Sequence, residues 1–164
     1  MELVDGEVVA HMPVSGRHGT RAAIIITALS IFVAKHRLGD VGPEIGFLAR
    51  RNPDTVLAPD VAFFGASNEH PEGLPEEGFV PWPPTLAVEV VSPNDLDSDV
   101  MGKVDAYLAC GVARIWVVRP KRQTVTVYRD DKTARIVTID GALTSEDAAL
   151  TVQGFTLPLA DLFA

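Results

Sequence analysis

Apolar and polar residues follow one another along this chain in patterns that predict short strands and two long helices. Glu2-Leu-Val4 and Glu7-Val-Val-Ala10 flank Asp5-Gly6, a dipeptide that favours two-residue hairpins, so the chain is read as opening on two short antiparallel strands. From Ser15 or Gly16 to Arg37 the apolar positions recur at helical spacing. Between Ile24 and Val33 they run almost all the way round, which predicts a helix buried on most sides and stopped by Gly39. Strands are expected at about Glu44 to Ala49 and Val56 to Phe64, joined by the turn Arg50-Arg51-Asn52-Pro53-Asp54. Gly65 to Pro84, rich in glycine, proline and glutamate, reads as a long functional or mobile loop.

Leu86 to Val91 is continuously apolar apart from Glu89, the pattern of a central strand covered on both faces. Ser92-Pro93-Asn94-Asp95 breaks it and leads into a helix from about Asp97 to Cys110, capped by Gly111. Arg114 to Val118 and Thr124 to Arg129 read as strands joined at Pro120-Lys121-Arg122. A strand at Ala134 to Ile139 and a short segment from Phe155 to Phe163 complete the chain. This order predicts an α/β (mixed α+β) fold, a mixed central sheet flanked by helices. No repeat or linker divides residues 1–164, and that length fits a single domain.

Composition narrows the function. A hydrophobic content of 47% beside 22% charged residues is that of a globular protein and not of a disordered one. The apolar stretch Ala22 to Ala34 is short and flanked by Arg21, Lys35 and Arg37, so no membrane span is expected. Met1 to Glu7 lacks a basic leader followed by an apolar stretch, and the default location is cytoplasmic. Cys110 is the single cysteine, which rules out an internal disulfide and a multi-thiolate zinc site. A net charge of −8 opposes a nucleic-acid partner, because phosphate binding rests on lysine and arginine. Carboxylates that hold a metal are nevertheless negative by necessity. Arg17, His18, Arg21, Lys35, His36, Arg37, Arg50 and Arg51 also make the first third locally basic, as a phosphate-facing side or simply as a solvated surface.

The candidate chemistry lies at Pro59-Asp60, Glu89 and Lys103. An ionised carboxylate inside an apolar strand costs several kcal/mol unless a cation or hydrogen bonds compensate it. Strand alternation sets Asp60, Ala62 and Phe64 on one face, and Ala87, Glu89 and Val91 on one face of another strand. If these strands are neighbours, Asp60, Glu89 and the Val90 carbonyl form an oxygen set of the kind magnesium takes. Lys103 stands at the edge of the helical face made by Val100, Val104, Tyr107 and Leu108, from which its ammonium can reach back over the sheet. The corresponding reaction is metal-assisted phosphodiester hydrolysis. Plainer roles exist for each residue: a turn hydrogen bond for Asp60, an exposed strand edge for Glu89, a surface pair with Asp99 for Lys103, and core packing for Tyr107 and Trp116.

Asp5-Gly-Glu7, Pro59-Asp-Val61, Val88-Glu-Val-Val-Ser-Pro93, Lys103 with Tyr107, Gly111-Val112, Trp116-Val-Val118 and Gly154-Phe155 resemble the Uma-two family, within the restriction-endonuclease-like, or PD-(D/E)xK, superfamily of nucleases. The resemblance covers nearly the whole chain. It implies a restriction-endonuclease-like core, a magnesium or manganese site at Asp60 and Glu89, and an endonuclease acting on nucleic acid, DNA above all, with a homodimer as a natural assembly. The superfamily lysine two residues after the glutamate is here Val91, and the resemblance makes Lys103 the recruited lysine. It further implies that Glu7 assists as an acidic group near the metal, and that His18 lies at the rim of the site and Tyr107 beside the substrate. The alternatives are a non-catalytic binding or scaffold protein of the same fold, and a hydrolase of a small phosphate ester.

Overall fold

The computed structural model describes residues 2–4, 6–9, 16–67, 69–70 and 72–164, with Arg17 described by its backbone alone. The first hairpin pairs β1 (Glu2–Val4) with β2 (Glu7–Val9), Leu3 opposite Val8. The expected extension of β2 to Ala10 and the helix start at Ser15 lie outside the described residues. A long helix α1 (Gly16–His36) follows, then β3 (Gly39–Gly42), β4 (Phe47–Arg50), β5 (Thr55–Leu57), β6 (Val61–Gly65) and β7 (Leu86–Val90). Helix α2 (Asp97–Ala109) carries the chain across to β8 (Arg114–Arg119), and β9 (Thr124–Arg129), β10 (Ala134–Val137), β11 (Ala142–Thr144), β12 (Thr156–Pro158) and α3 (Leu159–Leu162) complete the described elements.

Six strands form one mixed sheet in the order β10-β9-β8-β7-β6-β3, in which β7 and β8 run parallel and the other pairs antiparallel. Parallel neighbours need a crossover, and α2 supplies it. Alternation along the central strands then divides the core. Phe63, Val88, Val90, Trp116 and Val118 face α1 and α3, meeting Ile25, Leu29, Val33, Leu159 and Leu162. Ala62, Phe64, Ala87, Ile115 and Val117 face α2, meeting Val100, Val104 and Tyr107. A smaller sheet, β2-β1-β5-β4, adds Phe47 and Leu57 to this second core.

Three expectations are corrected here. α1 buries one stripe only, for Ile31 is 67% exposed while Ile25 and Leu29 are fully buried. α1 is also long and apolar enough to cross a membrane by length and composition alone, longer than the apolar stretch indicated, but its Ile25, Leu29 and Val33 stripe is committed to the sheet, the role of a core helix. It ends on Arg37 at φ 55°, with Arg37 N–H donating to Ala34 and Leu38 N–H to Val33, a left-handed cap made without glycine. Gly39 instead opens β3 at φ 134°, where an added Cβ would sit 2.0 Å from the Phe64 carbonyl oxygen. Gly111 does cap α2, at φ 95°, with its N–H donating to Leu108 and that of Val112 to Tyr107.

The expected strand from Val56 to Phe64 is two strands in two sheets, separated by Ala58-Pro59-Asp60. Proline has no N–H to give a ladder, so pairing stops there. That interruption sets Asp60 immediately before β6, at the point where the backbone ladder with β7 stops.

Candidate active site

Val61 pairs with Val88 in the antiparallel β6–β7 ladder, and extending this register sets Asp60 opposite Glu89 and Pro59 opposite Val90. Proline offers the Val90 carbonyl no N–H, and its own carbonyl accepts from Glu44 at 3.2 Å. The Val90 N–H donates instead to Asp60 Oδ2 at 2.7 Å. A strand residue directs its N–H and C=O to the same edge, so the Val90 carbonyl also faces the Asp60 side. The other Asp60 oxygen, Oδ1, lies 3.1 Å from His18 Nε2 on α1. His18 Nδ1 is 3.1 Å from Ser92 Oγ. His18 is buried, and its pKa is raised chiefly by the Asp60 hydrogen bond, against the opposing effect of burial.

Glu89 is only 8% exposed and projects to the α2 side of the sheet. The Tyr107 hydroxyl donates to its Oε1 at 2.5 Å. Lys103 Nζ donates to both carboxylate oxygens, at 3.3 and 3.2 Å. Burial pushes the Glu89 carboxyl up to about 7; the Lys103 charge opposes this, Asp60 and Glu2 add to it, and the Tyr107 hydrogen bond works against it. For Lys103 burial disfavours the charge, yet the carboxylates of Glu89 and Glu2 outweigh it and the pKa is raised. Tyr107, fully buried beside a negative charge, is held well above the usual phenol range and stays a donor.

The first hairpin reaches the site through Glu2. Its Oε1 lies 3.4 Å from Lys103 Nζ and accepts the Ala58 N–H at 3.1 Å. Glu7 is a correction: it is exposed on β2 opposite Val4, and among the described contacts none joins it to the cluster. The acidic residue that β1 brings is Glu2, whose one legible signal is a charged residue beginning an otherwise apolar strand. Tyr107 is a second correction, since a fully buried ring cannot lie against a substrate from solvent. It holds Glu89 instead. The structure brings Asp60, Glu89, Val90, Lys103 and His18 together.

The donors fit a hard divalent cation. The charge of Asp60 helps to raise the pKa of Glu89, so the two carboxylates lie near enough to repel in a partly buried site. Together with the Val90 carbonyl they form the sparse oxygen set that magnesium accepts when waters and a substrate phosphate complete its shell. Among the described residues no group of three His, Cys, Asp or Glu side chains forms a full cage. Val91, which follows Glu89 on the same face, is partly buried against the α2 core, and the lysine that reaches Glu89 is Lys103, from α2.

A mixed sheet with its parallel pair bridged by a helix, and carboxylates gathered where β6 begins beside the end of β7, defines a restriction-endonuclease-like fold. The chain belongs to the Uma2 family, described as putative restriction endonuclease, whose family model matches residues 1–160. It is similar in structure to a crystallised putative nuclease belonging to DUF820 from Anabaena variabilis ATCC 29413, with a TM-score of 0.78 and 21% identity over 99% of this chain and 88% of that one. No curated protein matches the chain.

Proposed function

We propose that this protein is a metal-dependent endonuclease that hydrolyses phosphodiester bonds of nucleic acid, with DNA as its substrate. The observation that carries this reading is the meeting of Asp60, Glu89 and Lys103 at one edge of β7, a buried carboxylate kept beside a second carboxylate and an ammonium. Asp60, Glu89 and the Val90 carbonyl hold magnesium or manganese in this proposal. The cation, when bound, supplies Lewis-acid polarisation of the phosphate and activation of water.

The chain's own residues do the rest. Lys103 stays charged and sits where it can turn from Glu89 to a phosphate oxygen or the attacking water, stabilising charge that develops during transfer. Glu2 gives that ammonium a second carboxylate, and Tyr107 holds the carboxylate of Glu89. His18, anchored on Ser92, orients Asp60. Cleavage of both strands of a duplex calls for two such sites, which a homodimer supplies.

The test is cleavage of single- and double-stranded DNA and of RNA at low salt with magnesium or manganese, wild type beside Asp60→Asn, Glu89→Gln and Lys103→Ala. Metal-dependent cleavage lost in all three supports the assignment. Full activity retained in both carboxylate variants overturns it.

A further inference from the structure

A cleft of about 390 Å³ opens beside His18. Its apolar surface comes from Val91, Pro93 and Pro120, and its charge from Arg21, Arg119, Lys121 and Arg122. Four of the chain's 14 lysines and arginines therefore converge on one cleft in a protein whose net charge is −8. Lys121 and Arg122 occupy the β8–β9 turn, exposed to solvent, and no described side-chain hydrogen bond or ion pair engages either of them. Arg119 contacts Asp97 at 2.6 Å, but Asp97 is 74% exposed and such a surface pair exchanges readily. Asp95, the acid in the lining, already accepts the Ser92 N–H at 2.7 Å.

Like charges gathered at one cleft repel one another, and a cleft concentrates their field on whatever anion enters. The apolar surface adds a second requirement: the occupant must carry a face that prefers proline and valine to water. A nucleotide meets both, with a base for the apolar surface and a phosphate for the cations. The volume lies near the lower end of the roughly 300–1,000 Å³ typical of small-molecule sites, room for about one nucleotide and far too little for a duplex. His18 lines the cleft and also touches Asp60, so a nucleotide here adjoins the carboxylates.

We infer that this cleft is a nucleotide subsite that takes one residue of a single strand next to the scissile phosphate, with Lys121, Arg122 and Arg119 on the neighbouring phosphate. The position relative to cleavage rests on the nuclease reading; nucleotide binding by the cleft does not. Because only one strand fits, a duplex must be opened or end near this point.

The experiment is fluorescence anisotropy of a labelled single-stranded DNA oligonucleotide in calcium, over a series of salt concentrations. Wild type is compared with the double variant Lys121→Glu with Arg122→Glu, and with Lys35→Glu, an exposed cation outside the cleft, as control. Thermal unfolding checks that each variant is folded. The double variant should bind about tenfold more weakly, and its salt slope should fall by about 1.4, the value for two phosphate contacts on a single strand. Lys35→Glu should change little. Unchanged affinity and slope in the folded double variant overturn the inference, as does absence of binding by wild type at low salt. Cleft-dependent binding without cleavage under any metal would sink the nuclease reading and leave the subsite standing. Cleavage that needs Asp60 and Glu89 but ignores the charge reversal would do the reverse.

Discussion

Lys103 Nζ on α2 lies 3.2 Å from Glu89 Oε2 on β7, and it is equally committed to Glu2 on β1 at 3.4 Å. The ammonium thus ties a helix, a central strand and the first hairpin at one point. Its charge opposes the burial that raises Glu89, so removing it has two consequences. Lys103→Met should lower cleavage by about 100-fold, as loss of one charge-stabilising donor does, and should raise the Glu89 pKa further. Single-turnover kinetics and carboxylate titration by NMR measure these separately.

The two acidic residues of the first hairpin should behave differently. Glu2 is 4% exposed and contacts Lys103, whereas Glu7 is exposed. Glu2→Gln is expected to reduce cleavage at least tenfold with a shifted pH profile, while Glu7→Gln stays within twofold of wild type, the usual outcome at an exposed position. Parallel pH–rate profiles decide it, and equal effects would contradict the placement of Glu2.

The Tyr107 hydroxyl is the buried donor to Glu89 Oε1. Tyr107→Phe removes it with little change of shape and leaves Oε1 only the Lys103 contact at 3.3 Å, at a cost of about 1.5–3 kcal/mol, the range for a hydrogen bond to a charged group. Chemical denaturation measures that loss. Metal affinity should fall as well, since a freer Glu89 is less well oriented, and titration calorimetry with manganese reads this.

Glu89 makes the metal-free protein's stability depend on pH. Its folded pKa, about 7, exceeds the ordinary 4.5, so the folded state binds the proton more tightly than the unfolded state. This contribution is fully present below 4.5 and is lost as pH rises through 7. It amounts to on the order of 3 kcal/mol as an upper bound. His18 has the same sign: its pKa is raised above 6.5, and its contribution is present below that value and lost as pH rises through the folded pKa. Melting temperature in a metal chelator should therefore rise from pH 8 to pH 5. Glu89→Gln should flatten most of that rise, and saturating manganese should reverse its sign by requiring the ionised carboxylate.

Gly39 tests the junction between α1 and β3. Gly39→Ala would place a Cβ 2.0 Å from the Phe64 carbonyl oxygen at φ 134°, and should destabilise by at least about 2 kcal/mol. Gly16, with open space around it, should accept alanine with far less effect. Urea unfolding of the two variants makes the comparison.

Local pattern was enough for β7, β8, β9 and α2, because apolar runs, turn residues and the Gly111 cap act over a few residues. The carboxylate inside β7 was equally legible: Glu89 interrupts an apolar strand and so demands a partner. The sequence by itself therefore determined the central strands, the crossover helix and the candidacy of Asp60, Glu89 and Lys103. It did not show that Val56 to Phe64 divides between two sheets, that Gly39 opens a strand, or that β11 and β12 exist, since strands of three or four residues are chosen by their neighbours across a sheet. Nor did it distinguish Glu2 from Glu7. Both are acidic residues of one hairpin, and only packing of that hairpin against β5 brings Glu2 to an ammonium on α2. The tertiary structure decided those matters because charge pairing and burial act through space, between residues far apart along the chain.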